Sequence, residues 1–180
     1  LAQGPKMDPE GNAARAFCQY VLGDYRPPAD KRILVFAQCS VRRPFSSSPS
    51  HASIRRAIRL ATGFDPRLDR EECPVHVVVL ASQLGPVPYD LEDVYPANVG
   101  GGGVKHFSPE HYGRVRPVLA ERMAQYAIVH RKNYDHTTTF TQGRYGEVME
   151  DARRIVVARA GPSGDFRVLP RRDGARVVRL

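Results

Sequence analysis

Two short apolar runs limit the fold most strongly: Arg32 to Ala37 (RILVFA) and Val75 to Ala81 (VHVVVLA). Both are rich in β-branched residues, too short for buried helices, and bounded by polar turns, so each reads as a buried strand. Between them, Ile54, Ala57, Ile58 and Ala61 recur at helical spacing within His51 to Ala61. The same spacing marks Pro9 to Leu22, with Gly23 as a stop. Ser108-Pro109-Glu110 opens a further helix, with serine as N-cap and proline in the first turn, running to about Gln125. Tyr126 to His130 (YAIVH) is then a third strand, and Tyr145 to Arg153 a short helix. Such alternation predicts a layered α/β fold around a largely parallel sheet.

A chain of 180 residues suits a single core. Residues 1–7 are expected to be a tag remnant or a disordered lead, and residues 8–152 the α/β catalytic-core domain. Residues 153–180 are expected to form an Arg-rich β extension of the same domain. Its strands would be Ile155 to Ala158, Phe166 to Leu169 and Arg176 to Val178, joined by glycine turns. No apolar run approaches the roughly 20 residues that span a bilayer. Cys18, Cys39 and Cys73 are an odd, scattered trio without a CxxC, which points away from a disulfide framework or zinc knuckle and toward the cytoplasm.

The formal charge is +8, and only four of the 27 basic residues are lysine. From Arg153 onward the net charge is +6, so Arg153, Arg154, Arg171 and Arg172 are candidate nucleic-acid contacts, with Phe166 available to stack. A solvated sheet edge explains the same charges.

In parallel α/β folds ligands bind beyond the carboxyl ends of the strands. Three polar loops are expected there, after Ala37, Ala81 and His130. The first runs Gln38 to His51, in which Ser48 or Ser50 can cap the following helix and free amides make an anion site beside Arg42 and Arg43. Cys39, just past a strand end, stands where α/β enzymes place nucleophiles, with arginines and His51 to favour its thiolate. A capped helix beside a partly buried cysteine accounts for the same residues. In the second loop, Asp90, Glu92 and Asp93 supply carboxylates that can orient an amine or accept its proton, or simply begin a short helix. In the third, His130, Asp135 and His136 lack the i, i+4 pairing of a helical metal site.

The first loop matches a more specific pattern. Cys39, Arg43-Pro44-Phe45, Ser48 and His51 resemble the archaeosine synthase motif of Cys, Lys-Pro-Tyr, Ser and His at this spacing. Arg for Lys, Phe for Tyr and Gln38 for the usual Pro are the departures. Ser82, Leu84-Gly85, Val87-Pro88, Leu91-Glu92 and Tyr95-Pro96-Ala97 resemble that family's second signature. The resemblance spans Lys31 to Arg153, the family's catalytic-core module. After Ala97 this chain continues Asn98-Val99-Gly100 and further glycines, where the family has a His-Tyr-Asp segment.

The resemblance implies a three-layer α/β/α sandwich related to uracil-DNA glycosylases, with both signatures lining a base pocket. It implies addition of the side-chain amine of lysine to the nitrile of 7-cyano-7-deazaguanine in tRNA, completed by a companion radical enzyme. No cofactor of its own is expected. On this reading Cys39 forms a transient thioimide or shapes the pocket, Ser48, Ser50 and loop amides supply hydrogen-bond donors, His51 donates the proton, and Asp90 or Glu92 holds and deprotonates the amine. Ser40, Arg42, Arg43, Phe45, Ser50, Ser82, Gly85, Val87 and Pro88 then contact base or phosphate. Free base, nucleoside, tRNA and a different nucleic acid such as DNA stand open as substrate levels. An N-glycosidase or base exchanger, and a non-catalytic nucleic-acid-binding module, are the alternatives.

Overall fold

The computed structural model describes residues 9–161 and 166–168. In chain order the elements are α1 (Asn12–Gly23), β1 (Ile33–Gln38), α2 (Pro49–Thr62), β2 (Val75–Ala81), β3 (Gly85–Pro88), α3 (Pro109–Val129), β4 (His136–Phe140), α4 (Gly143–Ala160) and β5 (Phe166–Val168). Short 3-10 turns at Phe45–Ser47, Tyr89–Leu91, Val104–His106 and Arg131–Asn133 punctuate the loops. One sheet has the order β3-β2-β1-β4-β5. β1 pairs in parallel with β2 and β4, β4 in parallel with β5, and β3 returns antiparallel along β2. The expected α/β class and mostly parallel sheet are therefore present.

β1 and β2 form the sheet's centre, and Leu34, Phe36, Val77, Val78, Val79 and Leu80 are almost wholly buried. Ser48 caps α2 by accepting the amide of His51, and Ser108 caps α3 by accepting that of His111. Both caps sit one residue ahead of a proline in the first turn, as the sequence indicates.

Three expectations are corrected. Tyr126 to His130 is not a strand but the last turn of α3 and its cap. Nothing between Gln125 and Tyr126 breaks the helix, and Leu119, Ala120, Met123, Ala124, Tyr126 and Ala127 continue one buried face. That face outweighs the weak strand preference of a four-residue apolar run. The third parallel strand is β4, within the stretch expected to be loop. Its consecutive threonines are β-branched and pair Leu34, Val35 and Phe36 with Thr137, Thr138 and Thr139. Finally, Ile155 to Ala158 belongs to α4, whose buried Tyr145, Val148, Met149, Ala152 and Val156 keep helical spacing until Gly161 ends it at φ 79°.

A parallel strand does appear at Phe166–Val168, close to the expected Phe166 to Leu169. The strand expected at Arg176 to Val178 lies outside the described residues. β3 was not foreseen. It needs Gly85 at φ 90°, in a turn packed on the Cβ of Arg122.

Relocating the third strand changes the edge where ligands were expected. The connections after β1 and β2 stay at the carboxyl edge, and only Thr141-Gln142 follows β4. His130, Lys132, Tyr134 and Asp135 precede β4 and lie toward the amino edge. There a buried polar chain is fully paired: the imidazole of His76 donates to Asp90 (3.0 Å) and accepts from Tyr134 (2.6 Å). Tyr126 and Tyr134 share a further hydrogen bond at 3.1 Å, and Tyr25 donates to Asp90 at 2.8 Å.

Candidate active site

β1 delivers Cys39 to the carboxyl edge, and it is only partly covered, whereas Cys18 and Cys73 are buried. Its thiol donates to the Ser40 carbonyl at 3.4 Å. Beyond it, Val41 and Arg42 are exposed, and the chain turns back at Arg43. The Arg43 guanidinium donates to the carbonyl of Ala97 (2.8 Å) and to those of Ser40 and Arg42, and lies 3.8 Å above the Phe45 ring. It thereby ties the two signature segments together. Burial lowers the Arg43 pKa, and the neighbouring charge of Cys39 opposes that shift. Of the two arginines expected to hold phosphate, only Arg42 is free to do so in this geometry.

His51 is completely buried. The Gln38 carbonyl can only accept, so His51 donates to it through Nε2 (2.8 Å) and accepts the Tyr89 hydroxyl at Nδ1 (2.6 Å). Burial keeps its pKa below the ordinary histidine value, with the Gln38 carbonyl acting in the opposite sense. Both nitrogens are spent on the scaffold, which removes His51 from the expected role of proton donor. Ser48 is buried as a helix cap and touches the exposed Ser50 at 3.2 Å.

The two carboxylates expected to share a role point to different places. Glu92 is buried and accepts both the amide (2.8 Å) and the hydroxyl of Ser46, holding the turn after Cys39 in shape, with Arg70 at 3.9 Å. Asp90 bonds His76 and Tyr25, and borders a cavity of about 320 Å³ with Lys31, Arg70 and Glu71. Burial would raise the Asp90 pKa, but His76 and the Tyr25 hydroxyl together hold it below the usual carboxylate value. Neither acid is hydrogen-bonded to Cys39 or to the residues beside it. Gly85, Val87 and Pro88 are buried in the β3 ladder, where they shape the edge from behind.

Ser82 does reach the site. Its hydroxyl accepts the Val104 amide (3.0 Å) and lies 2.9 Å from the hydroxyl of Tyr145, in the first turn of α4. Sequence reasoning did not single out Tyr145. Its hydroxyl interacts with Cys39 and it is buried, and both raise its pKa, burial more. The only available signal was the glycine run. A Cβ on Gly103 would stand 2.6 Å from the Tyr145 hydroxyl, and one on Gly101 would enter the Gln83 amide at 2.0 Å. Those glycines let the loop close over the residues after β2.

Arg153 and Arg154 lie on α4 and pair with acids of their own helix, Arg153 with Glu150 at 2.8 Å and Arg154 with Glu150 and Asp151. Arg171 and Arg172 lie outside the described residues. Among the described residues, no three His, Cys, Asp or Glu side chains gather as metal ligands, and no helix is long and apolar enough to cross a membrane.

The fold and its carboxyl-edge cluster define an α/β domain with a partly exposed cysteine at the end of its central strand. Residues 14–160 match the family described as Domain of unknown function (DUF5591), and the chain belongs to that family. It is also similar to archaeosine synthase subunit alpha of Thermococcus kodakarensis, with 30% identity over 106 residues, 59% of this chain and 17% of that protein. The namesake from Methanosarcina acetivorans is 28% identical over 135 residues, 74% of this chain and 19% of the relative. That of Thermoplasma acidophilum is 33% identical over 78 residues, covering 43% and 13%. The chain thus spans less than a fifth of the length of these relatives. A crystal structure of AF0587, a protein of unknown function, overlays with a TM-score of 0.49 at 19% identity, over 87% of this chain and 44% of that one.

Proposed function

We propose that this domain carries out archaeosine-synthase-like chemistry, the addition of an amine to the nitrile of a 7-cyano-7-deazaguanine base. The observation that carries the reading is the position of Cys39: a partly exposed thiol at the end of a central strand, inside the segment that resembles the archaeosine synthase motif, with Arg43 and Tyr145 beside it. On this reading the helices cover the sheet as in a glycosylase-like sandwich. The base in tRNA is the substrate, lysine the amine, and a companion enzyme completes the conversion.

A nitrile carbon accepts a thiolate when its nitrogen is hydrogen-bonded as negative charge develops there. Attack by Cys39 gives a thioimide; the amine then bonds its carbon and displaces the Cys39 thiolate, leaving an amidine. Glu92 and Asp90 are both engaged elsewhere, so the amine enters as its free base. That same engagement argues against an N-glycosidase, which needs a carboxylate facing the sugar.

Mass spectrometry of the protein with lysine and 7-cyano-7-deazaguanine, offered as free base, nucleoside and in tRNA, tests the reading. A gain of one lysine on any of the three supports it and fixes the substrate level. No product on all three, with RNA still retained at low salt, overturns it in favour of a binding module. Undiminished turnover by Cys39→Ala removes the covalent step.

A further inference from the structure

The Tyr145 hydroxyl, in the first turn of α4, is where separate segments meet: Ser82 after β2 at 2.9 Å, the glycine loop at Gly103, and Cys39 at the end of β1, with which it interacts. Their hydrogen bonds have a direction. The Val104 amide can only donate, so one lone pair of Ser82 is occupied by it, at 3.0 Å. The Ser82 hydrogen is then available to the oxygen of Tyr145, 2.9 Å away. With its oxygen accepting from Ser82, Tyr145 has its own O–H left to give, and Cys39 is the group beside it. Gly103 leaves room for this arrangement, because any side chain there would meet the Tyr145 hydroxyl at 2.6 Å.

We infer that Tyr145 is the proton donor of this site, with Ser82 as the positioning residue that aims its hydroxyl at Cys39 and at the atom Cys39 attacks. The inference deepens the proposed function and its chemical step rests on that reading. As the Cys39 sulfur bonds the nitrile carbon, one C–N π bond opens and its electron pair goes to nitrogen, which takes the Tyr145 proton. The products are a neutral thioimide and a tyrosinate. The amine then bonds the same carbon and gives one proton to the tyrosinate, while the C–S bond breaks and returns the thiolate. A phenol is protonated at neutral pH, and burial, with the neighbouring Cys39 adding to it, pushes the Tyr145 pKa further up, so the donor is loaded before the base arrives.

The first test uses iodoacetamide, followed by peptide mass mapping, on the wild type, Tyr145→Phe and Ser82→Ala. Cys39 is the cysteine that the fold leaves partly uncovered, so it is the one labelled first. Loss of the tyrosine hydroxyl withdraws a donor from the thiolate, and labelling at pH 7 is expected to slow about three- to tenfold, with a smaller effect in Ser82→Ala. In the amine-addition assay, Tyr145→Phe is expected to lose about 100-fold in turnover while the thermal midpoint stays close to wild type. Wild-type labelling and turnover in Tyr145→Phe would overturn the inference. If Tyr145→Phe fails to fold, Ser82→Ala decides it, and unchanged labelling there overturns it. A wild type that makes no amidine refutes the nitrile step and the proposed function together. In that case slowed labelling of Tyr145→Phe still establishes the tyrosine as donor to the thiol.

Discussion

Glu92 shows how a residue picked for chemistry can turn out to build the site instead. Its two oxygens hold the amide and hydroxyl of Ser46, and both partners are buried. Glu92→Gln keeps the volume, but only its carbonyl oxygen can take the Ser46 amide, so its NH2 faces the Ser46 hydroxyl, which must turn from donor to acceptor. The expected cost is about 2 kcal/mol, or roughly 4–8 °C in the calorimetric Tm for a chain this long. A Tm within 1 °C of wild type would show that the turn does not depend on it. Arg43 behaves similarly: a lysine there has neither the planar fork for several carbonyls nor the face that stacks on Phe45. Arg43→Lys is therefore expected to lose about 1–2 kcal/mol by urea denaturation. The sequence located Cys39 past β1, Ser48 ahead of α2 and Ser82 past β2 because each lies within a few residues of a strand or helix end. It could not show that His51 faces inward, because a histidine in the first turn of a helix has the same pattern whether buried or exposed.

At the scale of elements, what was legible followed from period and punctuation. The two apolar strand runs, the Ser-Pro caps and the loops after β1 and β2 came through, while the loop after His130 did not. The misreadings came from short windows judged alone: Tyr126 to Val129 looks like a strand until Leu119 to Ala124 are seen to form the same face, and Thr137 to Thr139 look like loop until β1 is beside them. Tyr145 was illegible because the pattern of α4 explains it as a core residue, and only the fold brings it against Ser82. The glycine loop gives a sharp test of that closure. Gly103→Ala is expected to push on the Tyr145 hydroxyl and slow Cys39 alkylation severalfold. Gly102→Ala, with nothing within 4 Å of its added methyl, is expected to stay within about 0.5 kcal/mol of wild type and label normally. Equal labelling rates in both variants would show that the loop does not constrain the tyrosine.

For the molecule as a whole, pH and charge act through buried groups. Burial holds His51 and His130 below the ordinary value of 6.5. The unfolded chain therefore binds these protons first, and stability falls as pH drops from 6.5 toward the folded pKa values. Asp65 and Asp90, with pKa values below 3.8, keep their contribution across that window and lose it only at lower pH. Tm is accordingly expected to be lower at pH 5.5 than at 7.5, and His51→Gln is expected to flatten that difference. An unchanged slope in His51→Gln would assign the effect elsewhere. The formal charge of +8 overstates the cations available to a polyanion, because many arginines bind the protein's own oxygens. Arg43 joins Ala97 to Ser40, Arg122 joins Leu84 to Pro9, and Arg144 joins Val104 to Phe107. These side chains are mortar between stretches of backbone, and guanidinium chloride is the same functional group set loose in solvent. It competes for those carbonyls. Urea also hydrogen-bonds carbonyls but without the charge and fork that match these arginines, so the urea midpoint of this fold should exceed the guanidinium midpoint by more than the usual factor of about two.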